Sequence, residues 1–150
     1  MKTLRQIVAG TDFSDAAEQA LELALELAFA ARAQLTLVHV CEPGVDDLDD
    51  QRLLQGDEAL SRVVVRHQRR GVEVTGVLRA GKPWEKLDNV AVEVGAGLIV
   101  IGRHGAGRGR SVELGSVAGH LIRSGGRPVL LAACDFDRLD SEGGAPTSPV

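Results

Sequence analysis

A chain of 150 residues, 44% of them hydrophobic, is long enough for one globular domain with a real core and too short for two. Aromatic residues make up only 3%, tyrosine is absent and the net charge is −4, which excludes the extended basic face of a DNA-duplex binder and the stacking platforms of a single-strand binder. No window reaches the roughly 18 uninterrupted apolar residues of a membrane span, and Met1 to Gln6 leads into a strand without an apolar leader, so a cytoplasmic location away from membranes is expected.

The first element is the short strand Ile7-Val8-Ala9-Gly10, followed by the turn Thr11-Asp12-Phe13. Ser14 caps the next helix, with Asp15 and Glu18 placed favourably in its first turn. Ala17, Leu21, Ala24, Leu25 and Ala28 recur at helical spacing while Glu18, Glu22 and Glu26 line another face. After a basic helix end at Arg32 comes a second strand, Leu35 to Val40. The loop from Glu42 to Asp50 is acidic, lacks the spacing of a calcium loop, and reads as a solvated charged face. A second helix is expected from about Gln51 to Arg70, with Leu53, Leu60, Val63, Val64 and His67 inward and Gly71 just beyond its end. His67 reads as a helix-face residue rather than a ligand.

Val72 to Leu78 alternates as a third strand. Pro83 suits the first position of a third helix, with Trp84, Leu87, Ala91 and Val94 on one side and Gly95 as its stop. A lone tryptophan at that spacing reads as packing. Leu98 to Ile101 is a fourth strand, a fourth helix opens at Ser116, and Pro128 to Ala133 is a fifth strand. Residues 1–134 therefore form the domain, and 135–150 read as a disordered tail. Cys41 and Cys134 each end an apolar run and are too few for a metal box, so both read as reduced structural thiols. The alternation of strands and helices predicts an α/β fold with an open parallel sheet covered on both faces, whose ligands bind beyond the carboxyl ends of the strands.

The most informative stretch joins the fourth strand to the fourth helix. Gly102 and Gly105 are followed after nine residues by Gly115-Ser116, and the intervening loop carries Arg108 and Arg110 beside Arg103. A micromolar nucleotide site needs roughly 8 kcal/mol. A helix dipole supplies only about 0.3 to 1 kcal/mol, so several charge-assisted hydrogen bonds of roughly 1.5 to 3 kcal/mol must add to it. Glycines let backbone N–H groups converge on one anion, and Ser116 adds a hydroxyl. The alternative is a Gly/Arg surface loop whose glycines serve only turns. Two other phosphate motifs fail: Gly81-Lys82 is followed by Pro83 rather than a hydroxyl residue, and Gly105-Ala106-Gly107 is followed by Arg110 where a glycine is required. If the first and fourth strands are neighbours, Asp12 faces the glycine loop across one crevice, bordered by Val40.

Taken together, Val8 to Ser14, His39-Val40, Leu98 to Gly102 and the full G-x2-G-x9-G-[S/T] spacing resemble a universal stress protein (UspA-like) domain of the nucleotide-binding type over residues 4–133. The resemblance implies an adenine nucleotide alpha hydrolase-like fold, a five-stranded sheet in order 3-2-1-4-5, and a homodimer formed through strand 128–133. An apolar edge strand is an association hazard unless paired, which suits that implication. It also implies ATP as ligand, with or without magnesium or manganese. Gly10 and Thr11 would belong to the site beside Asp12, which would take the ribose hydroxyls. The Val40 backbone would read the adenine edge, Gly102 would border the ribose, and Gly105, Gly115, Ser116 and Val117 would hold the phosphates. Arg103 suits the same anion. Gly97 departs from the pattern, standing where the family commonly has an acid. Asp12 and His104 are the only candidates for hydrolytic chemistry and neither has a partner legible in sequence. An ATP-binding regulatory dimer for stress response is therefore expected before a slow ATPase or autophosphorylating protein, or a nucleotide-independent interaction dimer.

Overall fold

The computed structural model describes residues 3–43, 50–68, 71–103 and 115–132. Strands and helices alternate along them as β1 (Gln6–Gly10), α1 (Asp15–Ala31), β2 (Gln34–Cys41), α2 (Asp50–His67), β3 (Val74–Ala80), α3 (Pro83–Val94), β4 (Leu98–Gly102), α4 (Ser116–Ser124) and β5 (Val129–Ala132). The strands form one parallel sheet in the order β3-β2-β1-β4-β5. Order reverses at β1, so β2 and β4 flank it and the crevice beyond their carboxyl ends is the switch point of the fold.

Two cores sandwich the sheet. On one face Ile7, Ala9, Leu35, Leu37 and Val100 pack against the alanine and leucine stripe of α1 and against Leu60 of α2. On the other, Val8, Val38, Ile99 and Ile101 meet Leu87, Val90 and Ala91 of α3 and Ala118 and Leu121 of α4. With so few aromatic residues, density comes from close approach of small side chains. Gly76 shows how: a Cβ there would lie 3.0 Å from Val64 and 3.2 Å from Leu60, so its absence lets α2 settle onto β3.

Local chemistry sets the element ends. Ser14 Oγ accepts the Ala17 N–H at 3.2 Å and starts α1, while Arg32, at φ 55°, closes it in the left-handed region. Pro83 opens α3 and Gly95, at φ 67°, ends it. Two expected boundaries move. The second helix, expected to Arg70, ends at His67, because the Gln68 side chain turns to donate to the Val74 carbonyl at 2.6 Å. That bond lies where β3 begins, so β3 starts at Val74 rather than Val72 and runs on to Ala80, pairing with Cys41. Val72 remains buried below the strand. No helix among the described residues is long and apolar enough to cross a membrane.

Candidate nucleotide site

Beyond the carboxyl ends of β1, β2 and β4 lies a cavity of about 400 Å³. Its floor and walls come from four segments that the topology brings together. Gly10, Thr11 and Asp12 continue β1, Val38, Val40 and Glu42 line one face of β2, Gly102 and Arg103 end β4, and Gly115 to Ala118 open α4. Pro83 and Leu87 of α3 close the side over β2.

The β1 turn is held by its own backbone and by β2. The Thr11 N–H donates to the Val38 carbonyl at 2.9 Å. The Thr11 carbonyl lies 2.8 Å from His39 Nδ1, and because a carbonyl only accepts, Nδ1 carries the proton. Thr11 Oγ1 accepts the Phe13 N–H and Asp12 Oδ1 accepts the Ser14 N–H, both at 3.0 Å. Phe13 sits at φ 64°, a left-handed conformation costly for a residue with a Cβ, and its ring lies 4.4 Å from that of His39. Together these contacts fix the direction of the Asp12 carboxylate at the cavity mouth.

Across the crevice, the chain after β4 and the chain before α4 are tied to each other. The Arg103 N–H donates to the Ala132 carbonyl at 3.1 Å, and the Arg103 carbonyl accepts the Gly115 N–H at 3.0 Å. Gly115 then serves as N-cap without a side chain, its carbonyl accepting the Gly119 N–H at 3.0 Å. The N–H groups of Ser116, Val117 and Ala118 consequently have no acceptor within the helix. All three residues line the cavity, so its β4 side is a cluster of donors at the positive end of a helix, with Arg103 beside it.

Glycine lets the wall close up at two points. A Cβ on Gly102 would lie 3.0 Å from the backbone carbon and oxygen of Ala16, so α1 could not begin this close to β4. A Cβ on Gly10 would meet the Leu87 methyls at 3.0 and 3.1 Å. Of the residues expected from the sequence, Gly10, Thr11, Asp12, Val40, Gly102, Arg103, Gly115, Ser116 and Val117 all line the cavity, whereas Gly105, His104, Arg108, Arg110 and Cys134 lie outside the described residues. Glu42, expected in a solvated acidic loop, is exposed and also lines the cavity. Pro83 and Leu87 were read only as helix residues. The alternation Val38-Val40-Glu42 on one face of β2 was the available signal for the first.

Other candidate groups have structural roles. Trp84 stacks on His120 at 5.2 Å with rings 9° from parallel, joining α3 to α4 as packing. His67 is buried, 3.1 Å from Glu18 and 3.8 Å from Glu22, bridging α2 to α1. These three residues could each offer a metal ligand, but the Arg66 guanidinium already holds Glu18 at 2.9 Å, and the cluster shares no residue with the cavity. Cys41 is buried, and burial pushes its thiol pKa up against a weaker opposing pull from Arg52. A protonated, covered thiol is an unreactive one, in line with a structural role.

Comparison with known proteins identifies the family. The model of the universal stress protein family matches residues 3–133. The chain belongs to the universal stress protein family. A universal stress protein of Thermus aquaticus is 34% identical over 136 residues, covering 85% of this chain and 97% of that one. Among solved structures, the universal stress protein from Archaeoglobus fulgidus in complex with dAMP is 29% identical, with a TM-score of 0.70 and coverage of 87% of this chain and 98% of that one. A universal stress protein in complex with cAMP is 25% identical, with a TM-score of 0.71 and the same two coverages, 87% and 98%.

Proposed function

We propose that this universal stress protein binds ATP in the cavity and acts as a homodimeric regulatory module of the stress response. The observation that carries the reading is the run of N–H groups at Ser116 to Ala118 that have no acceptor within α4, on residues that line the same cavity as Asp12 and an apolar slot. Three parts of a nucleotide find three kinds of wall. The phosphates meet the α4 N–H groups, the Ser116 hydroxyl and Arg103, the ribose hydroxyls meet Asp12, and the base enters between Val38, Val40, Pro83 and Leu87. The dAMP and cAMP held by two relatives support an adenine nucleotide in particular.

Ser116 Oγ at the phosphate end and the Asp12 carboxylate across the crevice are oxygen donors of the hard type that suits magnesium or manganese. Such an ion, carried in by the triphosphate, would neutralise phosphate charge. Binding rather than turnover is the activity proposed.

Calorimetry with ATP and magnesium tests this. Binding in the micromolar range is expected, lost or weakened at least tenfold in Gly115→Val, whose branched side chain crowds the anion pocket, and weakened in Asp12→Ala. No heat in the wild type, or unchanged affinity in Gly115→Val, rules the site out. Measurable turnover that disappears in Asp12→Ala would replace regulatory binding by slow hydrolysis.

A further inference from the structure

The cavity has two chemically opposite ends. Over β4 stand the α4 N–H donors and Arg103, and over β2, on the far side of β1, stands Glu42. Two strand spacings separate the ends, about 10 Å, which is the scale of a nucleotide laid across the crevice. Glu42 follows the end of β2 directly, exposed to solvent, and lines the cavity together with Val38 and Val40, which puts it at the rim of the apolar slot. Among the described residues it makes no hydrogen bond or ion pair, unlike the acids at Glu18, Glu73 and Glu93, which are all engaged by neighbouring side chains. A carboxylate accepts hydrogen bonds and donates none when ionised. It repels phosphate, which fixes the direction in which a nucleotide enters, and it rewards a base edge that carries a donor.

We infer that Glu42 selects the base, its carboxylate accepting a hydrogen bond from the exocyclic amino group of adenine and opposing an oxo group at the same position. This rests on the adenine-nucleotide reading above and assigns the choice of base to one side chain. Glu42 is a specificity residue, with no part in holding the fold.

The test compares ATP with ITP, which replaces the 6-amino group by an oxo group, in calorimetric titrations of the full chain. Wild type is expected to prefer ATP by about tenfold, the weight of one charge-assisted hydrogen bond partly open to water. In Glu42→Gln the amide can accept from an amino group and donate to an oxo group, so the preference should fall to near unity. ATP affinity should drop by less than tenfold and the thermal midpoint should stay unchanged. Equal binding of ATP and ITP by wild type, or an undiminished preference in Glu42→Gln, overturns the role of Glu42 while leaving the site in place. Failure of wild type to bind either nucleotide overturns both.

Discussion

Gly102 and Gly10 look alike in the sequence, yet the atoms that a Cβ would meet make them different experiments. At Gly102 the obstacle is the Ala16 backbone, which cannot rotate away, so Gly102→Ala should cost about 1–3 kcal/mol in urea denaturation. At Gly10 the obstacle is the end of the Leu87 side chain, so Gly10→Ala should keep most of the stability and push Leu87 into the cavity, lowering nucleotide affinity. Equal stability losses would show that the β4 end is not the rigid point. Cys41 carries a pH signature. Burial raises its pKa in the folded protein, and the unfolded thiol ionises from about pH 8.5, so folding is favoured fully below that pH and progressively less above it. The stability gap between wild type and Cys41→Ala should therefore narrow from pH 7.5 to 9.5. A constant gap would mean that the thiol titrates alike in both states. Asp12, Gly115 and Ser116 were legible as cavity residues because strand ends and helix starts border the crevice of this fold. Glu42 was not, because a run of acids reads as one solvated block until the fold sets its first member beside the crevice.

Among the elements, α1 and α3 were legible almost to the residue, since a Ser14 cap, a proline at the first position and a closing glycine are local signals. The α2 to β3 passage was not, because its boundary is set by the Gln68 side chain bonding to Val74, a contact that no periodicity encodes. Arg32 offers a test of element energetics. It closes α1 at φ 55°, so Arg32→Gly should stabilise the protein by about 0.5–1 kcal/mol by removing left-handed strain. A loss of stability would mean that the arginine stem contributes packing that outweighs the strain. The α3 and α4 pair supplies its own reporter. Trp84 is the sole tryptophan, and its stacking partner His120 holds the Ser116 carbonyl through Nδ1 at 2.7 Å, one turn into the proposed anion site. Saturation with ATP should therefore change Trp84 emission in wild type and change it far less in His120→Leu. Unchanged wild-type emission at saturation would show that the first turn of α4 binds without shifting this pair.

For the whole molecule, alternation predicted a parallel sheet covered on both faces but left strand order open, since every crossover unit looks alike along the chain. The order came from the family resemblance and is the order observed. It makes β5 an edge strand. Pro128 and Ala132 direct their carbonyls at β4, so by the alternation of backbone groups Val129 and Leu131 turn theirs outward, where a second copy could pair. In the proposed dimer, Leu131→Pro deletes an outward N–H without touching the β4 ladder. Light scattering should then report a monomer that still melts cooperatively, whereas an intact dimer would place the interface elsewhere. The bond from Gly115 to the Arg103 carbonyl has a consequence for how such a chain can change over generations. It joins the two residues that bound the 104–114 segment, so the donors that follow Gly115 are held in place against the end of β4. Doubling a tethered segment costs only about 0.6 kcal/mol in closure entropy. A change of length between Arg103 and Gly115 should consequently cost little stability as long as this bond is kept.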